Sequence, residues 1–354
     1  MSGPVLLFRA DASAAIGMGH AMRCLSLAEA YIGSGPGGRA VFLMAEPPPA
    51  FASRATGTGA EVRGLAAAPG SAGDVQETLA TAGDVRAGWI VLDGYQFDGA
   101  FQAALVDAAH HVLALDDHGH AGRYRADLVL NQNAGADPAL YADRAPGTRL
   151  LLGPRFALLR EEFRRWPAQR RPVPPRARRV VVTLGGSDPD NVSARVLQGL
   201  AGLRGPLEIL LLVGPANPHR SELQRAAAAC PHPVQLATDV PDMAARLAWG
   251  DLAVAAAGST VLELARVGTP QILIVLAENQ APGAAAMARD GLAASLGRHE
   301  TLDPGAIAAA VVALAGDGER REQLSRRSRE LVDGRGTTRV LAAMGLTDQA
   351  EVAA

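Results

Sequence analysis

Short, continuously apolar runs, each followed by a stretch with helical spacing, recur from one end of the chain to the other. Val5–Phe8 reads as a strand, a helix runs from about His20 through Tyr31, and Ala40–Met44 is the next strand. Glu61–Leu65, Trp89–Leu92, Val112–Leu115, Leu128–Leu130 and Leu150–Leu152 continue the series. Runs that are apolar at every position belong to strands covered on both faces, and helical segments between them predict a parallel sheet. From Glu46 to Gly73 the chain is rich in Ala, Gly and Pro, and only Glu61–Leu65 stands out there as a strand. His110 and His111 fall at a solvated helix end.

A break in the pattern follows. Arg164-Arg165-Trp166-Pro167, then Pro172, Pro174, Pro175 and on to Arg179, is dense in Pro and Arg without apolar periodicity. Proline blocks both helix interior and central strand, so this stretch predicts a solvated connector over 166–178. It separates an N-terminal α/β domain over 1–165 from a C-terminal one over 179–354. The second half repeats the alternation at Val180–Leu184, Leu207–Val213, Val234–Leu236, Leu252–Ala255 and Gln271–Val275. The expected fold class is α/β: two doubly wound, Rossmann-type domains facing across a cleft, with ligands at the carboxyl ends of the strands.

Composition adds constraints. A chain of 354 residues, 48% hydrophobic and 20% charged, has the make-up of a globular protein with two ordinary cores. The net charge of -2 gives no reason to expect nucleic acid. No apolar run is long enough to span a bilayer, and Arg9 and Asp11 cut short the first one, so neither membrane insertion nor a secretory leader is expected. Two cysteines, Cys24 and Cys230, imply no disulfide framework, and a cytoplasmic setting follows. All 34 basic side chains are Arg, which reflects base composition more simply than function.

Candidate chemistry lies at strand exits. In Gly17-Met18-Gly19-His20 the glycines, Gly19 included, let backbone approach a ligand, and the helix start offers N–H groups to an anion. His20 is placed to take a proton at neutral pH, or alternatively only packs in a capping loop. Gly258, Ser259 and Thr260 fit a diphosphate cradle at a second helix start, with Glu263 one turn in. There the competing reading is a capping box, Thr260 as N-cap and Glu263 bonding back. Asp188 and Pro189 after Gly185-Gly186 suit a helix start. Tyr95, after Asp93-Gly94, either meets a sugar or covers the sheet end. Asn131-Gln132-Asn133 and Asn279-Gln280 suit sugar hydroxyls and turns equally. Asp116-Asp117-His118-Gly119-His120 has the composition of a metal trap but lacks a second spaced ligand set, so no metal site is expected. Cys24 reads as a packed thiol.

Taken together, these segments resemble a known family. They are Arg9-Ala10-Asp11, Gly17-x-Gly19-His20-x-x-Arg23-Cys24-Leu25, Asp116-Asp117, Asn131-Gln132-Asn133, and Leu152-Gly153-Pro154-x-Phe156 running on to Glu162-Phe163. Gly185-Gly186-Ser187-Asp188-Pro189-x-Asn191, Gly214-x-x-Asn217-Pro218, Gly258-Ser259-Thr260-x-x-Glu263, Asn279-Gln280 and Asp333-Gly334-Arg335-Gly336 complete the set, in order and across nearly the whole chain. The chain resembles the UDP-2,4-diacetamido-2,4,6-trideoxy-β-L-altropyranose hydrolases of pseudaminic acid biosynthesis. The resemblance implies a GT-B fold, no metal or other cofactor, and inverting hydrolysis at the anomeric carbon, with a product destined for surface or flagellar glycans. It also implies His20 as the base on water, Tyr95, Glu263 and Asn279 on the sugar, and Gly258, Ser259 and Thr260 on the diphosphate. Val240-Pro241-Asp242-Met243 takes the place of the uracil segment, with Val240 and Met243 as contacts. The chain departs from the pattern at Gly94, where a polar residue is expected, and over Ala45–Gly73. Two other functions compete: a GT-B glycosyltransferase using a UDP-amino sugar donor, and a nucleotide-sugar-binding module without turnover.

Overall fold

The computed structural model describes residues 3–13, 16–35, 37–167, 172–238 and 240–347. Cα packing divides the chain into two compact units, 1–161 with 335–354, and 162–334. Of the expected connector, residues 168–171 lie outside the described residues.

Among the described residues, the first unit holds a seven-stranded parallel sheet in the order β3-β2-β1-β4-β5-β6-β7. Its strands are β1 (Val5–Ala10), β2 (Arg39–Met44), β3 (Glu61–Gly64), β4 (Ala87–Asp93), β5 (His111–Leu115), β6 (Leu128–Asn131) and β7 (Arg149–Leu152). The helices are α1 (Gly19–Gly33), α2 (Pro49–Gly57), α3 (Ala72–Val85) and α4 (Gly99–Asp107); α5 (Glu161–Arg164) stands at the crossing into the second unit. Alternate residues of β1 feed two cores. Leu6 and Phe8 pack with Cys24, Leu25 and Ala28 of α1, while Val5 and Leu7 pack with Ala82, Phe101 and Leu105 on the other face. Burial on both faces is why these strands read as unbroken apolar runs.

The second unit repeats the design with a six-stranded sheet in the order β10-β9-β8-β11-β12-β13. Here β8 is Arg179–Thr183, β9 Glu208–Leu212, β10 Val234–Ala237, β11 Leu252–Ala256, β12 Gln271–Val275 and β13 Ala294–Arg298. Its helices are α6 (Val192–Ala201), α7 (Arg220–Ala229), α8 (Met243–Trp249), α9 (Thr260–Val267), α10 (Ala281–Arg289), α11 (Pro304–Gly316) and α12 (Gly318–Leu331). Val180 and Val182 pack with Val196, Leu200 and Val311, and Val181, Ala253 and Leu273 are fully buried as well. No described helix is long and apolar enough to cross a membrane.

Five points differ from the sequence reading. The C-terminal helix α13 (Gly336–Ala343) was expected in the second domain, but it packs with the first unit, where Val340, Leu341 and Met344 join the core under α1. The Ala/Gly/Pro-rich stretch contains α2, which starts behind Pro48 and buries Phe51 and Ala55. His111 opens β5 and stacks on Trp89, the ring centroids 5.1 Å apart. Strand β13 has no apolar run because it sits at the sheet edge and is only partly covered. The expected solvated connector is also anchored: the fully buried Arg321 donates to the carbonyls of Pro174 and Pro175 at 2.8 and 3.1 Å.

The return of the chain to the first unit depends on one glycine. A Cβ on Gly336 would lie 2.4 Å from the backbone N and O of Ala157, atoms that cannot move aside cheaply. Gly336→Val is expected to cost about 1–3 kcal/mol, read as a lower urea midpoint at unchanged m-value.

Candidate active site

Strand order reverses between β1 and β4 in the first unit, and such a reversal opens a crevice at the carboxyl ends of the strands. Ala10 pairs with Asp93 there, so the exits of both strands lie side by side. After β1 the chain turns through Gly17, whose φ of +76° is a left-handed value, and whose N–H donates to Ser13 O at 2.8 Å. That turn starts α1 at Gly19, which is exposed, and places His20 and Arg23 one turn apart on one helix face.

Both side chains converge on Asp93. His20 Nδ1 lies 2.6 Å from Asp93 Oδ1. Arg23 donates from Nε to Asp93 Oδ2 and from Nη2 to Oδ1, each at 2.6 Å. The Cys24 thiol donates weakly to Oδ2 at 3.5 Å. Burial by itself would raise the Asp93 pKa, but the Arg23 guanidinium and then His20 outweigh it and hold the carboxyl below its ordinary range. Arg23 Nη2 also lies 3.2 Å from His20 Nδ1, but the 2.6 Å contact to a carboxylate, which only accepts, assigns the proton of a neutral His20 to Nδ1 and the lone pair to Nε2. Burial, then the neighbouring Asp93, push the Cys24 thiol up, and it stays a packed thiol as expected.

Arg23 also reaches Asp117, from Nη1 to Oδ1 at 2.7 Å and from Nη2 to Oδ2 at 3.2 Å. Asp117 accepts from the Tyr95 hydroxyl at 3.1 Å and from Asn133 Nδ2 at 2.8 Å. Burial works against its charge, but Arg23, then Asn133, hold it well below the usual carboxylate range. Tyr95 is 42% exposed, with its ring edge-on to His20 at 5.1 Å. The glycine before it has a φ of +157°, a value that side-chain-bearing residues rarely adopt. A Cβ on Gly94 would meet Gln96 Oε1 at 2.5 Å, because the Gln96 amide folds back there and donates to Asp11 Oδ2 at 3.0 Å. Asp11 is held by Arg9 at 2.7 Å, and Arg9 grips the buried Asp74 through two bonds of 2.9 Å. A polar residue at 94 would have to displace the Gln96 amide.

The adjacent carboxylates of Asp116 and Asp117 turn to different partners. Asp116 points inward and accepts from the hydroxyls of Tyr124 and Tyr141 and from the N–H groups of His118 and Gly119, with His120 Nδ1 2.6 Å away. Asp117 points to Arg23. Among the described residues no His/Cys/Asp/Glu group has the geometry to hold a metal ion.

In the second unit the reversal falls between β8 and β11. Gly258 and Ser259 follow β11, and α9 begins at Thr260 with Ser259 at the N-cap, its side chain making no cap bond. Thr260 is therefore inside the helix, and the capping box built on Thr260 is not the arrangement found. Glu263 lies half-buried in the first turn of α9. From the next strand exit, Gln280 Oε1 accepts from Leu276 N at 2.9 Å, while its Nε2 lies 3.6 Å from where a Gly258 Cβ would sit. Asn279 beside it is exposed. Val240 and Met243 are half-buried at the start of α8, which packs against α9 and β8, and Ala244 N–H donates to Glu162 Oε2 at 3.0 Å. Asp188 caps α6 by accepting from Val192 and Ser193 N–H at 2.8 and 3.0 Å, the helix-start role expected of it.

The first unit thus gathers Gly19, His20 and Tyr95, and the second gathers Gly258, Ser259, Thr260 and Glu263, with Asn279 on the neighbouring exit. Sequence reasoning missed Arg23, Asp93, Asp117 and Asn133 as one network. Asp93 ends β4, while Asp117 and Asn133 follow β5 and β6 by two residues, on three adjacent strands. The available signal was a polar residue at each exit.

Solved structures share this architecture across the whole chain. MurG of Acinetobacter baumannii superposes with a TM-score of 0.71 over 97% of this chain and 100% of that one, at 17% identity. CalG4, the calicheamicin glycosyltransferase, gives 0.62 over 98% of both chains at 18% identity. Anabaena Alr3699/HepE in complex with UDP-glucose gives 0.64 over 96% of this chain and 98% of that one, at 15% identity. The fold is GT-B. Residues 180–336 match the glycosyltransferase family 28 C-terminal domain. Spore coat polysaccharide biosynthesis protein SpsG of Bacillus subtilis is 27% identical over 195 residues, 54% of this chain and 55% of that protein. The uncharacterized protein MJ1062 of Methanocaldococcus jannaschii is 22% identical over 213 residues, 58% of this chain and 44% of that protein. The chain spans about half the length of these curated relatives.

The Asp116 cluster has a consequence for acid stability. Burial opposes the charge, but bonds from His120, the Gly119 N–H and Tyr124 bring its pKa from 3.8 down to about 2. A depressed carboxyl stabilises the fold above the unfolded value and loses that contribution as pH falls through the folded one, here about 2 kcal/mol between about pH 5 and pH 2. Asp116→Asn is expected to lower the urea midpoint at pH 7 and to flatten its fall across that window.

Proposed function

We propose that this chain hydrolyses the sugar–phosphate bond of a UDP-linked amino sugar, with His20 as the base on water. The observation that carries the reading is the His20–Asp93 pair: Nδ1 lies 2.6 Å from a fully buried carboxylate, which leaves Nε2 as the proton acceptor. Imidazole is the side chain suited to that task near neutral pH. The pair stands at a strand-order reversal, where doubly wound sheets bind ligands.

In this reading Nε2 takes a proton as the water oxygen bonds to the anomeric carbon. The bond from that carbon to the phosphate oxygen breaks, and its electron pair leaves with UDP. Attack opposite the leaving group inverts the centre. UDP is a good leaving group, so little acid help is needed, and N–H groups at the start of α9, behind Gly258, meet the charge that develops. Ser259 and Thr260 add hydroxyls on the diphosphate, Glu263, Asn279 and Tyr95 contact the sugar, and backbone near Val240 and Met243 holds the uracil. The motifs spread along the chain support UDP-2,4-diacetamido-2,4,6-trideoxy-β-L-altropyranose as the substrate, acted on in the cytoplasm. The match to a protein of spore coat polysaccharide biosynthesis supports a surface-sugar setting.

The family 28 match and the glycosyltransferase structures favour a second reading, transfer to an acceptor, in which the same base deprotonates an acceptor hydroxyl. One assay separates the two. With the UDP-sugar, a chelator and ¹⁸O-water but no acceptor, hydrolysis puts label in the free sugar and none in UDP. Turnover only after an acceptor is added supports the transferase, and UDP binding with no turnover under either condition supports a binding module. Label in UDP means attack at phosphorus and removes both enzyme readings.

His20→Ala is expected to lower kcat by about 10²–10⁴ with UDP affinity unchanged, and a near-normal rate removes the base assignment. For Glu263→Gln the expected result is a raised KM at unchanged Tm. Unchanged KM with a lower Tm would assign Glu263 to the helix start alone.

A further inference from the structure

Arg23 takes no part in the reaction as described, yet it is the most heavily bonded side chain around the base. It lies one turn beyond His20 with its side chain only 10% exposed, and its guanidinium bonds both oxygens of Asp93 and both of Asp117. We infer that Arg23 and Asp117 form a positioning brace that sets the direction in which His20 presents its basic nitrogen. The inference rests on the reading of His20 as the base.

The physical argument has two parts. A carboxylate bonded only to an imidazole can rotate about its Cβ–Cγ bond and carry the ring with it. The planar fork of an arginine bonds both oxygens side by side and fixes the carboxylate plane. Fixing that plane fixes the Nδ1–H···Oδ1 direction and hence the line along which Nε2 points. A base misplaced by about 1 Å can lose about 10²-fold in rate, so this alignment matters to catalysis.

The second part is charge. Without Arg23, the fully buried Asp93 would face only the imidazole and a thiol, and the His20–Asp93 pair would take up a proton to relieve the unpaired charge. That proton goes to the imidazole, the more basic partner, so Nε2 is occupied and the base is removed. Arg23 supplies the positive charge instead and leaves Nε2 free. Asp117 holds the far end of the guanidinium and is itself steadied by Asn133 and Tyr95, so the fork stays on Asp93 rather than swinging toward a passing phosphate.

The test uses the full-length chain with Arg23→Lys and Asp117→Asn. A lysine keeps the charge but loses the fork, and an asparagine keeps the shape but loses the charge that holds it. Both are expected to reduce kcat about tenfold to a hundredfold while KM for the UDP-sugar stays within about twofold and UDP affinity is unchanged. Arg23→Gly is expected to regain part of its lost kcat on addition of millimolar guanidinium, with no gain from an equal concentration of sodium. ¹⁵N NMR should show the Nδ1–H form of His20, with Nε2 unprotonated, in the parent and protonation of Nε2 in Arg23→Gly, which removes the charge. This readout needs no substrate, so it tests the brace even if the sugar is not turned over. Parent kcat in both substitutions overturns the inference. So does a fall in kcat that tracks a lower Tm while the His20 spectrum of Arg23→Gly stays as in the parent, and so does weakened UDP binding, which would make Arg23 a phosphate ligand.

Discussion

A single buried carboxylate organises the first unit's chemistry. Asp93 ends β4 with no solvent around it, and an ionised group in that position must be paired or lose its charge. Three side chains of α1 answer that demand within one turn and a half: His20, Arg23 and Cys24. The same bonds that make Asp93 tolerable also fix the imidazole. On the proposed reading, stability and function therefore draw on one set of contacts, and the apolar face of α1 beneath them, packed on Leu6 and Phe8, holds the helix where those contacts can form.

Topology explains why two such sites arise in one chain. Each unit winds its strands outward from a central pair and reverses between them, β1 with β4 and β8 with β11. The exits of each pair lie side by side, and each is followed by a glycine-containing turn and a helix start. In the first unit the exits carry carboxylates that hold an imidazole and a guanidinium of α1. In the second they carry small residues and hydroxyls at a helix start. The chemistry differs because the side chains differ, on nearly the same backbone plan. The close approach of Gly214 to the Gly186 carbonyl, with room for no side chain, shows how tightly the second set of exits is gathered.

The alternation of apolar runs and helical spacing was legible from sequence because strands buried on both faces must be apolar at every position. The runs at Val5, Ala40, Trp89, Val112, Val180, Leu252 and Gln271 all lie in strands. Where cover is partial that signal fades, which is why β13 left no trace, and α2 was hidden because Ala, Gly and Pro dominate its sequence. Helix α13 could not be assigned to the first unit from sequence, because an apolar helix face does not say which sheet it covers. Thr260 and Ser259 both suit an N-cap, and only the backbone showed that the helix begins at Thr260.

The site divides the same way. Sequence determined that His20 follows a glycine turn at a helix start, that polar residues stand at the strand exits, and that Gly258 to Glu263 open a helix, since each is a local matter of spacing and turn chemistry. It left open which groups His20 meets, whether Asp116 and Asp117 share one target, and what stands beside Gly94. Those answers depend on which strands are neighbours and which side chains face one another across β4, β5 and β6. Strand order is set by long-range packing of the whole unit, so only the tertiary structure could bring His20, Arg23, Asp93 and Asp117 within hydrogen-bonding distance, or fold Gln96 into the space above Gly94.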